Sequence, residues 1–479
     1  MNQLLGLNEK DLDFPLNLTV IDESDPKRKN DPLDEKRKID PLDDKFVVVN
    51  CLTCHSGIRA NRAIIGAANH NLNPVGFSDF LKSFKLTARS IKETTAGFTP
   101  HEREEAQKQA KFFDKFLMPS LDSERVPSKS RGVNYGPFFD GLMLTQREKT
   151  NPTYPFQVNY EKLTPAYIAA IAFGPLPTQP HPWYVPGDDP YRFAEDFSSK
   201  GKRPLPHFTN FRVPTNLSKI PTPKEIERAK AEAKGLIQST NEIWKLFSCL
   251  DAPLYPGKVD LEKANRGCEL YNKKTCVECH GTIKNQNGTW TVGEYSKSIR
   301  NVGTDPIYRQ SVKSGVEAFK KSLPDDWEKK TTALMNEIDP SRTYTNEIQS
   351  VGTFEGSPKG YQPRPLTALW TRAPYGHNAI FPTVESMITP ENERPAFYKM
   401  GPPTSFDFDK MGMVWEPLNK EKFDSYVEEA RKGNFDPTLL VSTLEKGRSN
   451  KGHSGLLQTI SDLEERKALL ECFKVLVPR

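Results

Sequence analysis

The stretch Cys276-Val-Glu-Cys279-His280 has its spacing repeated earlier in the chain, at Cys51-Leu-Thr-Cys54-His55. Each copy sets two thiols apart by two residues and places a His directly after the second. Thiols so spaced reach the two vinyl groups of a haem, and the adjacent imidazole then lies under the iron. The pattern predicts thioether anchors at Cys51, Cys54, Cys276 and Cys279, and proximal ligands at His55 and His280. It therefore predicts two covalently bound haem c groups. Zinc and dithiol redox chemistry are the rivals. A zinc site could use two Cys-x-x-Cys pairs, but it would not require a His after each.

The sixth ligand of each iron decides what such a chain does. A His or Met there makes an electron-transfer haem, whereas an open position binds oxygen or peroxide. Six His remain besides the two proximal ones: His70, His101, His181, His207, His377 and His453. His453 lies in Gly447-Arg-Ser-Asn-Lys-Gly-His-Ser-Gly455, just ahead of the last helical pattern. A Gly-flanked His there can fold over a haem, or can be an ordinary solvated loop residue. His377, in Arg372-Ala-Pro-Tyr-Gly-His377-Asn, is either a ligand or a His hydrogen-bonded near the haem edge. Arg364 and Arg372 are candidates for pairing with haem propionates, with plain surface charge as the alternative. The other four His fall among polar or Pro-rich residues. No side chain stands out as a catalytic group. Trp183 and Trp244 could relay electrons or simply fill a core.

Composition bounds these readings. The chain has 479 residues with 40 Pro and 29 Gly, which implies long ordered loops around a limited helical framework. Its 27 Phe, 15 Tyr and 6 Trp supply burial that a disordered chain lacks. The net charge is only +5, and no basic block with interleaved aromatics stands out, so nucleic acid is not an expected partner. The longest apolar run, Ala166 to Phe173, is far short of the roughly 18 residues of a membrane span. The N-terminal MNQLLGLNEKDLDF lacks a basic region followed by an apolar one, so it does not read as a signal peptide. Haem attachment to Cys pairs normally occurs outside the cytoplasm. The expectation is a periplasmic or secreted chain whose leader has been removed.

The pattern divides into a charged N-terminal arm at 1–45, a first haem segment at 46–250 and a second at 251–479. The arm contains the near-repeat Asp31-Pro-Leu-Asp-Glu and Asp40-Pro-Leu-Asp-Asp. Helices are expected from Thr99-Pro100 to about Leu117 and from Thr164-Pro165 to Phe173, with loop-rich, Pro-broken sequence across 120–221. Thr222-Pro-Lys-Glu225 is a capping box opening a helix towards Leu250. Asp260 is expected to cap a helix through Leu261, Ala264, Gly267, Leu270 and Tyr271. The last helix is expected from Ser461, with Glu464 completing its capping box. In cytochrome c folds the first and last helices cross closely, and Gly267 and Tyr271 against Leu469 and Phe473 suit such a crossing. The fold class expected is mainly α with extensive loops: two cytochrome c-like haem domains, the first with a long Pro-rich insertion. Outside the two motifs stand Cys249, Cys268 and Cys472, which are either three buried small residues or one bridge and a free thiol.

Several segments carry a family resemblance. Asn50-Cys-Leu-Thr-Cys-His-Ser-Gly with Gly76-Phe-Ser-Asp-Phe-Leu forms the first. Leu254-Tyr-Pro-Gly-Lys-Val-Asp, Ala264-Asn-Arg-Gly and Cys276-Val-Glu-Cys-His-Gly form the second. Asn301-Val-Gly-Thr-Asp-Pro306, Pro365-Leu-Thr-Ala-Leu-Trp-Thr-Arg-Ala-Pro-Tyr-Gly-His-Asn378 and Ser449-Asn-Lys-Gly-His453 complete the set. From residue 46 onward the chain resembles the rubber-oxygenase-like di-haem cytochromes, within the di-haem cytochrome c peroxidase superfamily. The resemblance implies that His453 is the distal ligand of the second haem, which would then be six-coordinate and electron-transferring. It implies that the first haem is the reactive one. The peroxidase branch places a Met just before the His of the Ala-Pro-Tyr motif, where this chain has Gly376. The family usually has a larger apolar residue at that position, and Gly where this chain has Ala379.

Two classes of function follow. The first is a haem-dependent oxidoreductase of the oxygenase or peroxidase type, drawing on oxygen or peroxide and on a reductant or electron-transfer protein. The second is a periplasmic electron carrier with both haems six-coordinate. A protein that retains haem without turnover is a third possibility.

Overall fold

The computed structural model describes residues 252–478 with breaks, the longest at 294–299, 314–324, 341–359 and 454–459. In the N-terminal half it describes 18–22, 45–49, 56–59, 62–65 and a few isolated positions. The Cys51–His55 motif, the helix expected at 164–173, and His70, His101, His181 and His207 lie outside the described residues, as do Trp183 and Trp244; of the helices expected from Pro100 and from Thr222, only Pro100, Glu227, Ala231 and Lys234 are described, each helical.

Two short antiparallel pairs frame the first motif. Strand β1 (Leu18–Asp22) pairs with β2 (Lys45–Val49), which ends just before Cys51. Strand β3 (Ser56–Arg59) pairs with β4 (Arg62–Ile65) just after His55.

The C-terminal half is organised by two crossing helices. Helix α1 (Leu261–Lys273) begins where Asp260 accepts a hydrogen bond from the Lys263 amide, as its position before the apolar stripe predicts. Helix α2 (Cys276–His280) follows almost at once and holds the second motif. Asn287 and Gly288, both at positive φ, then turn strand β5 (Ile283–Gln286) into β6 (Thr289–Val292). Positive φ at two successive residues is the turn that an Asn-Gly pair favours between strands. Helix α3 (Trp327–Ile338) precedes the loop region carrying the Ala-Pro-Tyr motif.

Beyond it come α4 (Val384–Ile388), β7 (Phe397–Met400), β8 (Phe406–Asp407), β9 (Gly412–Met413) and β10 (Trp415–Leu418). Then follow α5 (Lys420–Arg431) and β11 (Leu440–Ser442), and finally α6 (Leu463–Val475), which runs straight into β12 (Leu476–Pro478). The sheets are small: β10-β7-β11, β12-β6-β5 and three two-stranded pairs.

This corrects the mainly α, two-haem-domain expectation: among the described residues, helices share the structure with several sheets. The physical reason lies in strand length. Strands of two to four residues, such as Tyr398 and its neighbours, leave too little alternation for a period-two pattern to show. The hairpin at Asn287-Gly288 is the exception, since its turn dipeptide is a recognised strand signal.

The α1–α6 crossing forms as the small-residue pattern suggests. A Cβ built on Gly267 would sit 1.8 Å from the Ala468 carbonyl oxygen and 2.8 Å from the Leu469 nitrogen. Only a residue without a side chain permits that approach. One turn on, the rings of Tyr271 and Phe473 meet edge to face with centroids 6.2 Å apart. Between the two contacts a disulfide joins Cys268 to Cys472, both fully buried. Glu471 ties the same helices again, accepting from the Asp260 amide at 3.0 Å and from buried Lys474 at 2.6 Å. The N-cap of α6 is Asp462, one residue later than expected, and it accepts from the Glu464 amide.

One apolar core continues from this crossing through Trp290, Trp370, Tyr375, Phe381 and Tyr398 to Met413. Ile64 of β4 packs against it. Arg59 of β3 is also buried, and donates from Nη2 to the Ala373 carbonyl at 2.6 Å. The segment following the first motif is thereby docked on the Ala-Pro-Tyr turn, where the Ala373–Pro374 peptide is cis.

Gly267→Ala is expected to destabilise the protein. The gain in helix propensity is about 1 kcal/mol, but the obstacle is a backbone carbonyl that cannot rotate away, so overpacking wins. A net loss of about 2 kcal/mol is expected, measured as a lowered denaturant midpoint with the disulfide intact. An unchanged midpoint would mean the helices do not cross this closely.

Candidate haem site around His280 and His453

Helix α2 is short, so its neighbours must hold it. On one side, the Lys274 amide caps α1 by bonding to the Leu270 and Tyr271 carbonyls. On the other, Gly281 at φ 82° turns the chain into β5, and the Tyr271 hydroxyl donates to its carbonyl at 2.9 Å. Asn272 brackets Ile283, donating to its carbonyl at 2.7 Å and accepting from its amide at 3.1 Å. The motif is thus pinned between α1 and the β5–β6 hairpin. Cys276 is buried, Cys279 is partly exposed, and both are free thiols rather than a disulfide. Burial pushes the Cys276 thiol up to about 11 and also raises that of Cys279.

The His280 ring is oriented by one contact. Its Nδ1 lies 2.7 Å from the Arg364 carbonyl oxygen. A carbonyl can only accept, so Nδ1 carries the proton and Nε2 keeps its lone pair. A backbone carbonyl on one nitrogen, leaving the other free to ligate, is how a metal-binding His is usually fixed. Burial lowers the basicity of His280, the Arg364 hydrogen bond works against that, and the charge of Arg372 adds to the lowering.

His453 comes from a distant part of the chain and lies within electrostatic reach of His280. Burial pushes its imidazole down to about 4, and the His280 and Arg394 charges contribute to the shift. Its backbone sits at φ 60°, and its amide donates to the Val302 carbonyl at 2.7 Å. The preceding Gly452, at φ 129°, lies against Thr304, where a Cβ would come within 3.1 Å. The Ser449 amide donates to Asp305 Oδ2 at 3.1 Å, and Asn378 Nδ2 donates to the Gly447 carbonyl at 3.0 Å. The turn Asn301–Pro306 is therefore the seat of the His453 loop.

Tyr361 anchors that seat. It forms a two-way backbone bridge with Arg300, and its hydroxyl donates to the Asp305 carbonyl at 2.7 Å. Its ring stacks on His377 with centroids 4.1 Å apart. Burial pushes His377 down to about 3, so this imidazole is neutral across the physiological range. Arg372 is buried and donates to the Pro365 and Thr367 carbonyls at 2.9 and 2.8 Å, stiffening the loop that presents the Arg364 carbonyl. Among the sequence-predicted residues, the structure brings together Cys276, Cys279, His280, Arg364, Arg372 and His453. His377 stands in their support.

The donor set suits a haem: two unbridged thiols, an imidazole with Nε2 unprotonated, and a second neutral imidazole within electrostatic reach. Among the described residues no three His, Cys, Asp or Glu side chains converge as a zinc site would require. Sequence reasoning missed Arg394 and Tyr361. Arg394 sits in Glu391-Asn-Glu-Arg394 and resembles any charged surface turn, so nothing in the pattern marks it.

A family model described as RoxA-like, cytochrome c-like matches residues 360–399. That window contains the Arg364 carbonyl, Arg372, His377 and Arg394. The match supports a cytochrome c family, and a cytochrome c-like domain implies covalently bound haem c. Two similar curated proteins come from Sinorhizobium fredii (strain NBRC 101917 / NGR234). Uncharacterized protein y4iJ is 24% identical over 269 residues, covering 48% of this chain and 42% of that protein. Uncharacterized protein y4iM is 28% identical over 185 residues, covering 37% of this chain and 40% of that protein. The chain thus spans about two fifths of the length of each of these relatives. Among the described residues no helix is long and apolar enough to cross a membrane.

The stacked His377 makes a pH prediction. Its folded-state pKa lies below the unfolded value, so its contribution to stability is complete above about pH 6.5 and falls away as pH drops towards 3. Wild type should lose stability between pH 7 and pH 4.5 more steeply than His377→Phe, measured as the shift in urea midpoint. Parallel slopes would mean His377 is protonated as easily in the folded chain.

Proposed function

We propose that this chain is a di-haem c-type cytochrome that works as an oxidoreductase outside the cytoplasm. Cys51, Cys54 and His55 would hold one haem, and Cys276, Cys279 and His280 the other. The segments 46–250 and 251–479 would each carry one motif, following the arm at 1–45. The observation that carries the reading is the His280–Arg364 hydrogen bond, with His453 held on a built seat within reach of His280.

Bound haem supplies one-electron exchange at iron and, where an axial position is open, a place for dioxygen or peroxide. The protein's part is positional. The Arg364 carbonyl fixes the tautomer and plane of His280, and the loop on Asn301–Pro306 presents His453 as a neutral imidazole. Arg364 and Arg372 are the side chains nearest in sequence to this support and are proposed to balance the propionates. With two His ligands the second centre would transfer electrons. No comparable distal residue is evident in the sequence for His55, so the first centre is proposed to be the oxygen- or peroxide-reactive one. The rubber-oxygenase-like resemblance supports this division of labour. The electron donor is proposed to be a small reductant or another electron-transfer protein.

The haem count is tested directly. Two haems per chain are expected by pyridine haemochrome assay of the secreted protein, falling to one in Cys51→Ala/Cys54→Ala and, separately, in Cys276→Ala/Cys279→Ala. A single haem in wild type would overturn the di-haem reading.

Ligation is tested by His453→Ala. Both haems should remain attached while the low-spin ferric signal of the second is lost. Wild type should already show a high-spin haem that binds carbon monoxide when reduced. If neither haem bound an added ligand, the electron-carrier reading would replace the enzyme.

A further inference from the structure

Arg394 makes contacts that the proposed haem chemistry does not use. Its Nε donates to the Thr389 carbonyl at 2.8 Å, and its Nη2 donates to the Met387 carbonyl at 2.9 Å. Both carbonyls lie at the C-terminal end of α4, where a helix leaves acceptors unmatched and favours a cation. The same Nη2 donates to the Gly452 carbonyl at 3.1 Å, and Nη1 donates to the Asn450 carbonyl. The guanidinium carbon lies 5.0 Å from the centre of the Phe381 ring, within cation–π range. Next to it, Asn450 Nδ2 returns a hydrogen bond to the Pro395 carbonyl at 3.1 Å. One planar group thus joins the end of α4 to the two residues flanking Lys451, and Gly452 is bonded directly to His453.

We propose that Arg394 is the positioning residue for His453, its guanidinium locking the Asn450 and Gly452 carbonyls to α4 so that the imidazole stays over the second haem. The proposal rests on the reading of His453 as distal ligand. The geometry explains why the residue is Arg. Four carbonyls converge on one fork from two directions, which a planar guanidinium with five N–H groups can serve together. A Lys ammonium offers three donors at one point and cannot reach both segments in the same way. Without the fork, the loop retains the Val302 and Asp305 bonds but loses its link to α4. His453 could then swing away from the iron for part of the time.

The test uses the full haem-loaded chain and three variants: Arg394→Gln, Arg394→Lys and, as reference, His453→Ala. The readouts are haem content, the low-spin ferric signal that His453→Ala removes, and the uptake of imidazole beyond what wild type takes up. Both Arg394 variants should keep their haem and show a weakened low-spin signal. Their apparent affinity for the added imidazole should rise roughly tenfold or more, the scale set by losing charge-assisted hydrogen bonds. Lys should restore only a small part of the wild-type behaviour. If Arg394→Gln does not fold, Arg394→Lys, which keeps the charge and the stem over Phe381, decides alone. Should the Arg394 variants match wild type while His453→Ala loses the signal, the positioning role is wrong and the ligand reading stands. Should His453→Ala itself keep the signal, the ligand reading falls and this proposal falls with it.

Discussion

Helices α1 and α6 can meet as closely as they do only because Gly267 offers no side chain to the Ala468 carbonyl. Much of the C-terminal half depends on that contact. The crossing brings Cys268 onto Cys472 and Tyr271 onto Phe473. Tyr271 then reaches Gly281, which fixes where α2 ends. At the far end, α6 runs into β12, which pairs in parallel with β6 and closes the hairpin behind the motif. A haem site needs its proximal imidazole held to a fraction of an ångström. In the proposed site a five-residue helix, too short to be stable alone, would receive that precision from two helices joined by a backbone-to-backbone approach and a covalent bridge.

A second constraint shapes the rest of the site. Pro-rich loops cannot pair their carbonyls in long ladders, yet those carbonyls still need partners once buried. Buried or half-buried Arg side chains meet this need repeatedly. Arg372 takes the Pro365 and Thr367 carbonyls, Arg59 takes Ala373, and Arg394 takes Met387, Thr389, Asn450 and Gly452. Arg372 folds its own loop back on itself, whereas Arg59 and Arg394 tie together segments distant in sequence. The abundance of Pro and the buried Arg residues are two sides of one solution, in which side-chain donors replace regular secondary structure.

Gly376 and Ala379, which flank His377 and Asn378, gain a physical meaning in this setting. Gly376 adopts φ 83°, and an added Cβ would meet the Phe381 ring at 3.1 Å. A side chain there would be strained and would press on the ring that supports Arg394. Ala379 adopts φ 54°, a left-handed conformation that costs a residue with a Cβ on the order of 1 kcal/mol. The strain is held by the two-way bridge between Tyr375 and Phe381 and by the Ala379 amide on the Gly376 carbonyl.

From the sequence alone came the Asp260 cap, the close α1–α6 crossing and the candidacy of the Cys276–His280 motif and of His453. These are readable because each rests on local spacing, on helical periodicity or on a residue type with a narrow range of use. The mainly α expectation failed because strands of a few residues carry no periodic signal, and the Asp462 cap shifted by one position for want of a sharp boundary. Only the tertiary structure decided which of the three spare Cys pair, that the Arg364 carbonyl rather than its side chain meets His280, and that Arg394 grips the His453 loop. The bridged Cys residues lie 204 positions apart, and the Arg364 and Arg394 contacts join residues 56 to 84 apart through backbone carbonyls, which every residue has and no sequence pattern can mark.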